Sequence, residues 1–185
     1  MRADPTSIPG CAHIRLERSD DERGTFVKVY QRSVADAMGF RDTVAEFYYS
    51  SSSRGVIRGL HFQCPPHDHA KTVVCIVGSM FDVVVDLRVG SPTYAQHATF
   101  SLDALTPSVV HVPAGCAHGF QALADDTLVG YLVSTEHEPS HDSGVRWDSA
   151  GVEWPLPGPV VSARDRSLPA VGDLVSPFQY EPEHG

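Results

Sequence analysis

Several features that would point to other classes of protein are missing from this sequence. The 14 lysine and arginine residues form no run, and the formal net charge of −9 gives a nucleic-acid backbone nothing to bind. No window reaches the roughly 20 apolar residues that a membrane span needs, and the N-terminal segment has no unbroken apolar stretch typical of a signal peptide. We therefore expect a cytoplasmic protein that binds neither nucleic acid nor membrane.

Paired cysteines are missing as well. Cys11, Cys64, Cys75 and Cys116 show no CxxC spacing, so the sequence predicts neither a zinc site nor a disulfide framework. We expect reduced and mostly packed thiols. With 185 residues, of which 42% are hydrophobic, the chain is long enough for one well-buried core, and we expect a single domain over residues 1–185.

Helix signals are sparse, whereas short apolar-polar alternations recur through the middle of the chain. Lys71–Val77 and Met80–Leu87 flank Gly78-Ser79, which predicts a hairpin. Further strands are predicted at Gly55–Gln63, Ala95–Leu102, Ser108–Val112, Phe120–Ala122 and Leu128–Thr135. So many short strands favour a closed or double-layered sheet, because isolated edges promote aggregation.

Only Ser33–Met38 is a plausible helix near the N-terminus. After Pro139 the chain becomes proline-rich, which indicates a segment that wraps over the barrel, and residues from Phe178 onward are expected to form a loose tail.

Pro113–His118 has the PxGxxH form of the second cupin motif. It predicts an all-β cupin, a double-stranded β-helix jelly-roll barrel over about residues 44–137, with a few short helices. Cupins often bind iron, manganese or nickel, and His67, His69 and His118 are the candidate ligands. The glutamate ligand is missing, however, since Val73 and Val74 occupy its place. We therefore favour no metal site and a solvated loop at 67–69.

The most specific motifs are RGVIRGLHFQ at 54–63 and PAGCAHGF at 113–120. Together with DERG at 21–24, FDVVVDLR at 81–88 and SARDR at 162–166, they make the sequence resemble the dTDP-4-dehydrorhamnose 3,5-epimerase family over most of its length. The resemblance implies epimerisation of a nucleotide-linked 4-keto-6-deoxy sugar next to the ketone, in deoxysugar biosynthesis and with no cofactor.

The resemblance also assigns catalytic roles. Abstraction of a proton next to a ketone needs a well-placed base and a donor to the enolate oxygen. By resemblance His61 is the base, Asp165 holds its other ring nitrogen, and Lys71 stabilises the enolate. Inversion needs an acid on the opposite face of the sugar ring, and Tyr131 matches it.

Substrate-binding positions follow in the same way. Arg58 and Arg23 match positions that contact the diphosphate, and further contacts fall on His118, Asp142 and Arg164. In the family Arg23 reaches the neighbouring site, which implies a homodimer. Strict alternation would place Arg58 on the strand face opposite His61, so we expect a bulge or twist at Gly59.

Four positions depart from the family. Lys28 stands in place of a glutamate, Glu46 and Tyr48 in place of a glutamine and an asparagine, and His137 in place of the tyrosine that stacks on the base. A carboxylate accepts well from cytosine N4 and would repel thymine O4, so Glu46 with Lys28 suggests a CDP-linked substrate. The other interpretation is that both side chains face solvent.

Two other classes of function stay open at this point. One is a metal-dependent cupin oxygenase or isomerase built on His67, His69 and His118, and the other is a noncatalytic sugar-binding cupin. For the epimerase itself, the sequence leaves open inversion at C3, C5 or both, a dTDP or CDP carrier, and the deoxysugar pathway.

Overall fold

A computed structural model of the protein describes residues 2–40 and 43–182. The elements within them are β1 (Arg2–Pro5), β2 (Ala12–Arg15), β3 (Arg18–Asp21), β4 (Gly24–Val27), α1 (Arg32–Ala37), β5 (Glu46–Ser52), β6 (Ile57–Gln63), β7 (Lys71–Val77), β8 (Ser79–Asp86), β9 (His97–Asp103), β10 (Ser108–Val112), β11 (Cys116–Ala122), β12 (Thr127–Val133), β13 (Asp142–Gly144), α2 (Ala163–Arg166) and a 3₁₀ turn (Val171–Asp173).

The strands form two large antiparallel sheets. One has the order β1-β2-β10-β7-β12-β5, the other the order β13-β6-β11-β8-β9, and β3 and β4 form a separate two-stranded ribbon. The main core lies between the large sheets, where Val73 and Val129 of the first pack with Val84 and Phe120 of the second. The all-β prediction is confirmed, since the described helices are short.

The predicted hairpin at Gly78 is wrong. β7 and β8 follow one another across Gly78, yet β7 pairs with β10 and β12, whereas β8 pairs with β9 and β11. The turn is therefore a corner between the two sheets. Gly78 has φ +77°, and a Cβ there would lie 2.8 Å from Oγ1 of Thr127. A glycine turn marks the reversal, but burial of both strands in the shared core decides which sheet each joins.

The end of the chain is not a loose tail. Phe178 is 4% exposed, and its ring packs edge-on against Phe62 at 5.3 Å between centroids. The Val89 N–H donates to the Phe178 carbonyl, and the Tyr180 N–H donates to the Val89 carbonyl. The expectation of disorder failed because a single buried aromatic residue and two backbone hydrogen bonds hold this segment to the barrel.

Strand and helix ends differ from expectation by a few residues, as in α1, which begins and ends one residue earlier than predicted. All four cysteines are free thiols, and three of them are buried. Burial raises the pKa of Cys11 and of Cys75 to about 12, so these thiols are packing groups. None of the helices in the described ranges is long and apolar enough to cross a membrane.

Candidate active site

His61 on β6 and Asp165 on α2 form a hydrogen-bonded pair. Oδ1 of Asp165 lies 2.8 Å from Nε2 of His61, while Oδ2 accepts from the Gly59 N–H at 3.2 Å. Ser162 caps α2, since its hydroxyl accepts from the Asp165 N–H at 3.0 Å and so fixes the start of this short helix. The predicted partnership therefore has the geometry that it requires.

Electrostatics keep this carboxylate ionised. Burial alone would raise the pKa of Asp165. The pKa is nevertheless lowered below its usual value by the hydrogen bond and charge of His61 and by the hydrogen bond from the Gly59 N–H. An ionised Asp165 requires a proton on Nε2 of His61. In the neutral ring, Nδ1 is then the nitrogen that can accept a proton.

A bulge brings Arg58 and His61 to the same cavity. His118 faces His61 across the β6–β11 ladder, while Phe120 faces Arg58, so β6 carries one extra residue between these pairs. Gly59 lies there with φ +133°, and a Cβ would sit 2.6 Å from the Gly119 Cα. The expected irregularity at Gly59 is confirmed.

Lys71 is a buried cation at the start of β7. It is 6% exposed, and Nζ donates to the His61 carbonyl at 3.3 Å. Burial lowers the pKa of Lys71 to about 8, against the opposing influence of Asp142 and Asp82. The side chain therefore stays protonated at neutral pH and carries its charge into the cavity beside His61.

Tyr131 lies across the cavity on β12. It is 7% exposed, and burial raises its pKa well above the usual value, so the phenol holds its proton. Its hydroxyl lies 3.4 Å from Oγ of Ser50. The ring stacks on Tyr48, with 4.7 Å between centroids and an interplanar angle of 20°.

His118 belongs to a second histidine-carboxylate pair. Its Nε2 lies 2.7 Å from Oδ1 of Asp82, and the two side chains are 3% and 0% exposed. The His118 ring meets Tyr131 edge-on at 6.1 Å between centroids. Sequence reasoning missed Asp82, although an acidic residue inside an apolar strand could have signalled it.

These groups line one cavity of about 690 Å³ between the sheets, a volume in the usual range for small-molecule sites. Its walls include every residue that the resemblance assigned to catalysis or substrate binding except Arg23 and Lys28, namely Glu46, Tyr48, Arg58, His61, Lys71, His118, Tyr131, His137, Asp142, Arg164 and Asp165.

The cavity wall also contains ion pairs and carboxylate contacts. Arg164 pairs with Asp142 at 2.8 Å, and Oε2 of Glu46 accepts from the His137 N–H at 2.9 Å. A bound anion would therefore compete with Asp142 for the guanidinium of Arg164.

Arg23 and Lys28 stay outside this cavity. Arg23 lies at the turn of the β3–β4 ribbon, exposed, with its guanidinium against Asp21. Lys28 directly follows β4 and is exposed. Lys28 therefore does not line the cavity of its own chain, and its contact with the substrate stays a prediction.

The three candidate metal ligands are held apart. His118 is bound to Asp82, His69 accepts from Gln63, and the ring of His67 packs at a tilt against His141, with 4.4 Å between centroids. In the part of the chain that the structure describes, no group of three or more His, Cys, Asp or Glu residues is placed to hold a metal ion. The loop at 67–69 is also not fully solvated, since His69 lines the cavity.

A jelly roll whose cavity holds a histidine-aspartate pair, a buried ammonium and a protonated tyrosine has the groups of a cupin-type acid-base active site. The family model for dTDP-4-dehydrorhamnose 3,5-epimerase matches residues 5–173. The dTDP-4-dehydrorhamnose 3,5-epimerase of Sinorhizobium fredii is 38% identical over 182 aligned positions, covering 94% of this chain and 91% of the relative. The dTDP-4-dehydrorhamnose 3-epimerase of Streptomyces niveus is 39% identical, covering 90% and 82%.

A solved structure agrees. The dTDP-6-deoxy-D-glucose-3,5-epimerase of Legionella pneumophila, in complex with dTDP-4-keto-L-rhamnose, superposes with a TM-score of 0.93 at 27% identity, covering 98% of this chain and 99% of that one. The chain belongs to the dTDP-4-dehydrorhamnose 3,5-epimerase family. It is thus an isomerase of the epimerase class with a cupin-type fold, and its function lies in deoxysugar biosynthesis.

Proposed function

We propose that the cavity epimerises a nucleotide-diphospho-4-keto-6-deoxyhexose at C3, C5 or both. One observation supports this most directly: the His61–Asp165 pair and Tyr131 line the same cavity, with the Lys71 ammonium beside His61. A base and an acid in one cavity are what inversion next to a ketone requires, and a noncatalytic binding protein has no need of them.

The reaction divides among these groups. Nδ1 of His61 removes the proton next to the ketone, and Asp165 stabilises the imidazolium that forms. The Lys71 ammonium donates to the developing enolate oxygen, where burial makes its charge more effective than in water. Tyr131 then delivers a proton to the opposite face, and its raised pKa keeps that proton available over the neutral range.

Isotope exchange tests the proposal. The protein is incubated with dTDP-4-keto-6-deoxyglucose in deuterated water, and label at C3 and C5 is read by mass spectrometry and NMR. We expect label at one carbon or both, which identifies the carbon that loses its proton, and the NMR coupling pattern of the product identifies the carbon that is inverted. If neither carbon gains deuterium, the chain does not catalyse this reaction.

The proposed nucleotide carrier is dTDP. The relatives described above are named for dTDP sugars. The cytosine hypothesis rests mainly on Glu46, whose carboxylate lines the cavity but already accepts from the His137 N–H at 2.9 Å. Calorimetry with dTDP and CDP compares the two carriers. We expect dTDP to bind at least as tightly as CDP, whereas a tenfold preference for CDP would restore the cytosine hypothesis.

The working unit is proposed to be a homodimer in which Arg23 enters the neighbouring cavity. The β3–β4 ribbon stands apart from both large sheets, and its Phe26 is 65% exposed. Mixing two inactive variants, Arg23→Ala and His61→Asn, tests the arrangement. In a mixed dimer, the Arg23→Ala chain keeps His61 and receives Arg23 from its partner, so activity returns. If Arg23 serves its own chain, the mixture stays inactive.

A further inference from the structure

His69 is a cavity residue whose hydrogen-bonding state the surrounding groups determine. It lies two residues before Lys71 and lines the cavity. Its Nδ1 lies 3.0 Å from Nε2 of Gln63. Its Nε2 is buried, and none of the described residues makes a hydrogen bond with it.

The orientation of Gln63 decides which nitrogen of His69 carries the proton. The Glu138 N–H can only donate, and it lies 2.6 Å from Oε1 of Gln63, so that atom is the amide oxygen. The two hydrogens of the Gln63 amide nitrogen then point to its two nearest acceptors, the His67 carbonyl at 2.8 Å and Nδ1 of His69 at 3.0 Å, with the Glu136 carbonyl further away at 3.3 Å. Because Nδ1 accepts, the proton of the neutral ring lies on Nε2.

The ring also stays uncharged. Burial, together with the nearby Lys71 and His137, lowers the pKa of His69 to about 3. The result is a neutral imidazole with a fixed tautomer and a buried N–H that lacks an acceptor in the described chain. Buried donors without partners are rare in proteins because they lose their hydrogen bond to water.

The position of His69 separates it from the chemistry. Lys71 lies opposite Val133, which lies opposite Glu46, so these three form one row across the sheet. His69 lies two residues further along the same strand direction, about 7 Å away for extended chain. Because Tyr131 pairs with Val73, the backbone of His69 lies further along the sheet from Tyr131 than that of Lys71 does.

We propose that Nε2–H of His69 is a binding group for the nucleotide sugar and donates a hydrogen bond to an uncharged oxygen, a carbonyl or hydroxyl of the nucleoside or the sugar. This inference rests on the proposed function, because it requires a bound nucleotide sugar. A neutral donor suits an uncharged oxygen, whereas arginine suits phosphate. The role is one of binding, since the proposed base and acid are His61 and Tyr131.

The test compares His69→Leu, which removes the donor, with His69→Gln, which keeps an amide N–H. His67→Leu is the matched control, because His67 lies in the same loop but does not line the cavity. Calorimetry with dTDP and with inorganic pyrophosphate, and kinetics with the 4-keto sugar nucleotide, are measured for each. Thermal unfolding of each variant verifies that it is folded.

We expect His69→Leu to weaken nucleotide or substrate binding by about three- to tenfold, the value of one neutral hydrogen bond. kcat should change less than twofold, His69→Gln should recover most of the loss, and His67→Leu should behave like the wild type. If His69→Leu binds dTDP more weakly than the wild type does, the accepting oxygen lies on the nucleoside. If only its affinity for the sugar nucleotide falls, the oxygen lies on the sugar.

Three results would overturn the inference. They are unchanged binding of every ligand by His69→Leu, an equal loss of pyrophosphate binding, and a ¹⁵N NMR spectrum that shows the proton of His69 on Nδ1. These outcomes can be told apart from failure of the proposed function, in which the wild-type protein itself would neither bind dTDP nor exchange deuterium.

Discussion

Replacing Asp165 by asparagine should disable the base while leaving the cavity intact. The Gly59 N–H donates to one carboxylate oxygen at 3.2 Å, so the amide oxygen of asparagine would take that side. The amide NH₂ would then face Nε2 of His61, which lies 2.8 Å from the oxygen that it replaces and would have to accept a hydrogen bond. The ring proton moves to Nδ1, the nitrogen that must accept the substrate proton.

The size of the effect follows from two contributions. Loss of a charged hydrogen bond costs about 1.5–3 kcal/mol, or roughly 10- to 150-fold. Reversal of the His61 tautomer lowers the rate further. In a serine protease triad, replacing the aspartate by asparagine also reverses the tautomer of the histidine and lowers kcat about 10⁴-fold. We therefore expect deuterium exchange at C3 and C5 to fall about 10³- to 10⁴-fold, with dTDP affinity within a few-fold of wild type.

The assay is single-turnover exchange in deuterated water, with calorimetry for dTDP. Asp148→Asn is the matched control, because Asp148 is an exposed carboxylate paired with Arg146 outside the cavity. It should leave both measurements unchanged. Exchange by Asp165→Asn within tenfold of the wild-type rate would show that the carboxylate does not set the tautomer of the base.

Three other substitutions or conditions test the remaining parts of the site. The lowered pKa of Lys71, about 8, predicts that kcat/KM falls as pH rises through that value, because the protonated form is the donor, and Lys71→Met should remove this limb of the pH profile. Tyr131→Phe should still exchange the proton next to the ketone while inverting little, so equal loss of both would make Tyr131 a positioning residue. Gly59→Ala places a Cβ 2.6 Å from Gly119 Cα at a φ of +133°, so urea unfolding should show a loss of about 1–3 kcal/mol or more, and unchanged stability would contradict the bulge.

The sequence identified the chemical groups of the site better than it identified the path of the strands. His61 and Asp165 are 104 positions apart, and no local pattern joins them; the resemblance alone paired them. The hairpin at Gly78 was predicted from a local turn signal, which is the same for a hairpin and for a corner between sheets. A hairpin and a corner differ in whether the two strands pair with each other or join different sheets on opposite sides of the core. That choice depends on how the whole chain buries its apolar residues, which a local turn signal does not contain.

His69 shows the other limit. In the sequence it stands in a short polar loop after two prolines, where a solvated side chain is the ordinary expectation. Its role depends on Gln63, whose orientation in turn depends on the backbone N–H of Glu138, 75 positions away. A tautomer fixed by such a chain of contacts has no signature in local composition, so it could be found only from the coordinates.

The bulge at Gly59 explains why the strand of the base departs from regular alternation. A regular strand would present His61 to the cavity and turn Arg58 away, leaving a base without a nearby cation on the same strand. The extra residue in β6 shifts the alternation of side chains by one position, so that Arg58 points to the same face of the strand as His61. Both side chains therefore reach the cavity. The same distortion aims the Gly59 N–H at Asp165, which fixes the carboxylate that holds His61. One irregularity thus places the cation and orients the base, and the close approach to Gly119 explains why glycine is needed at position 59.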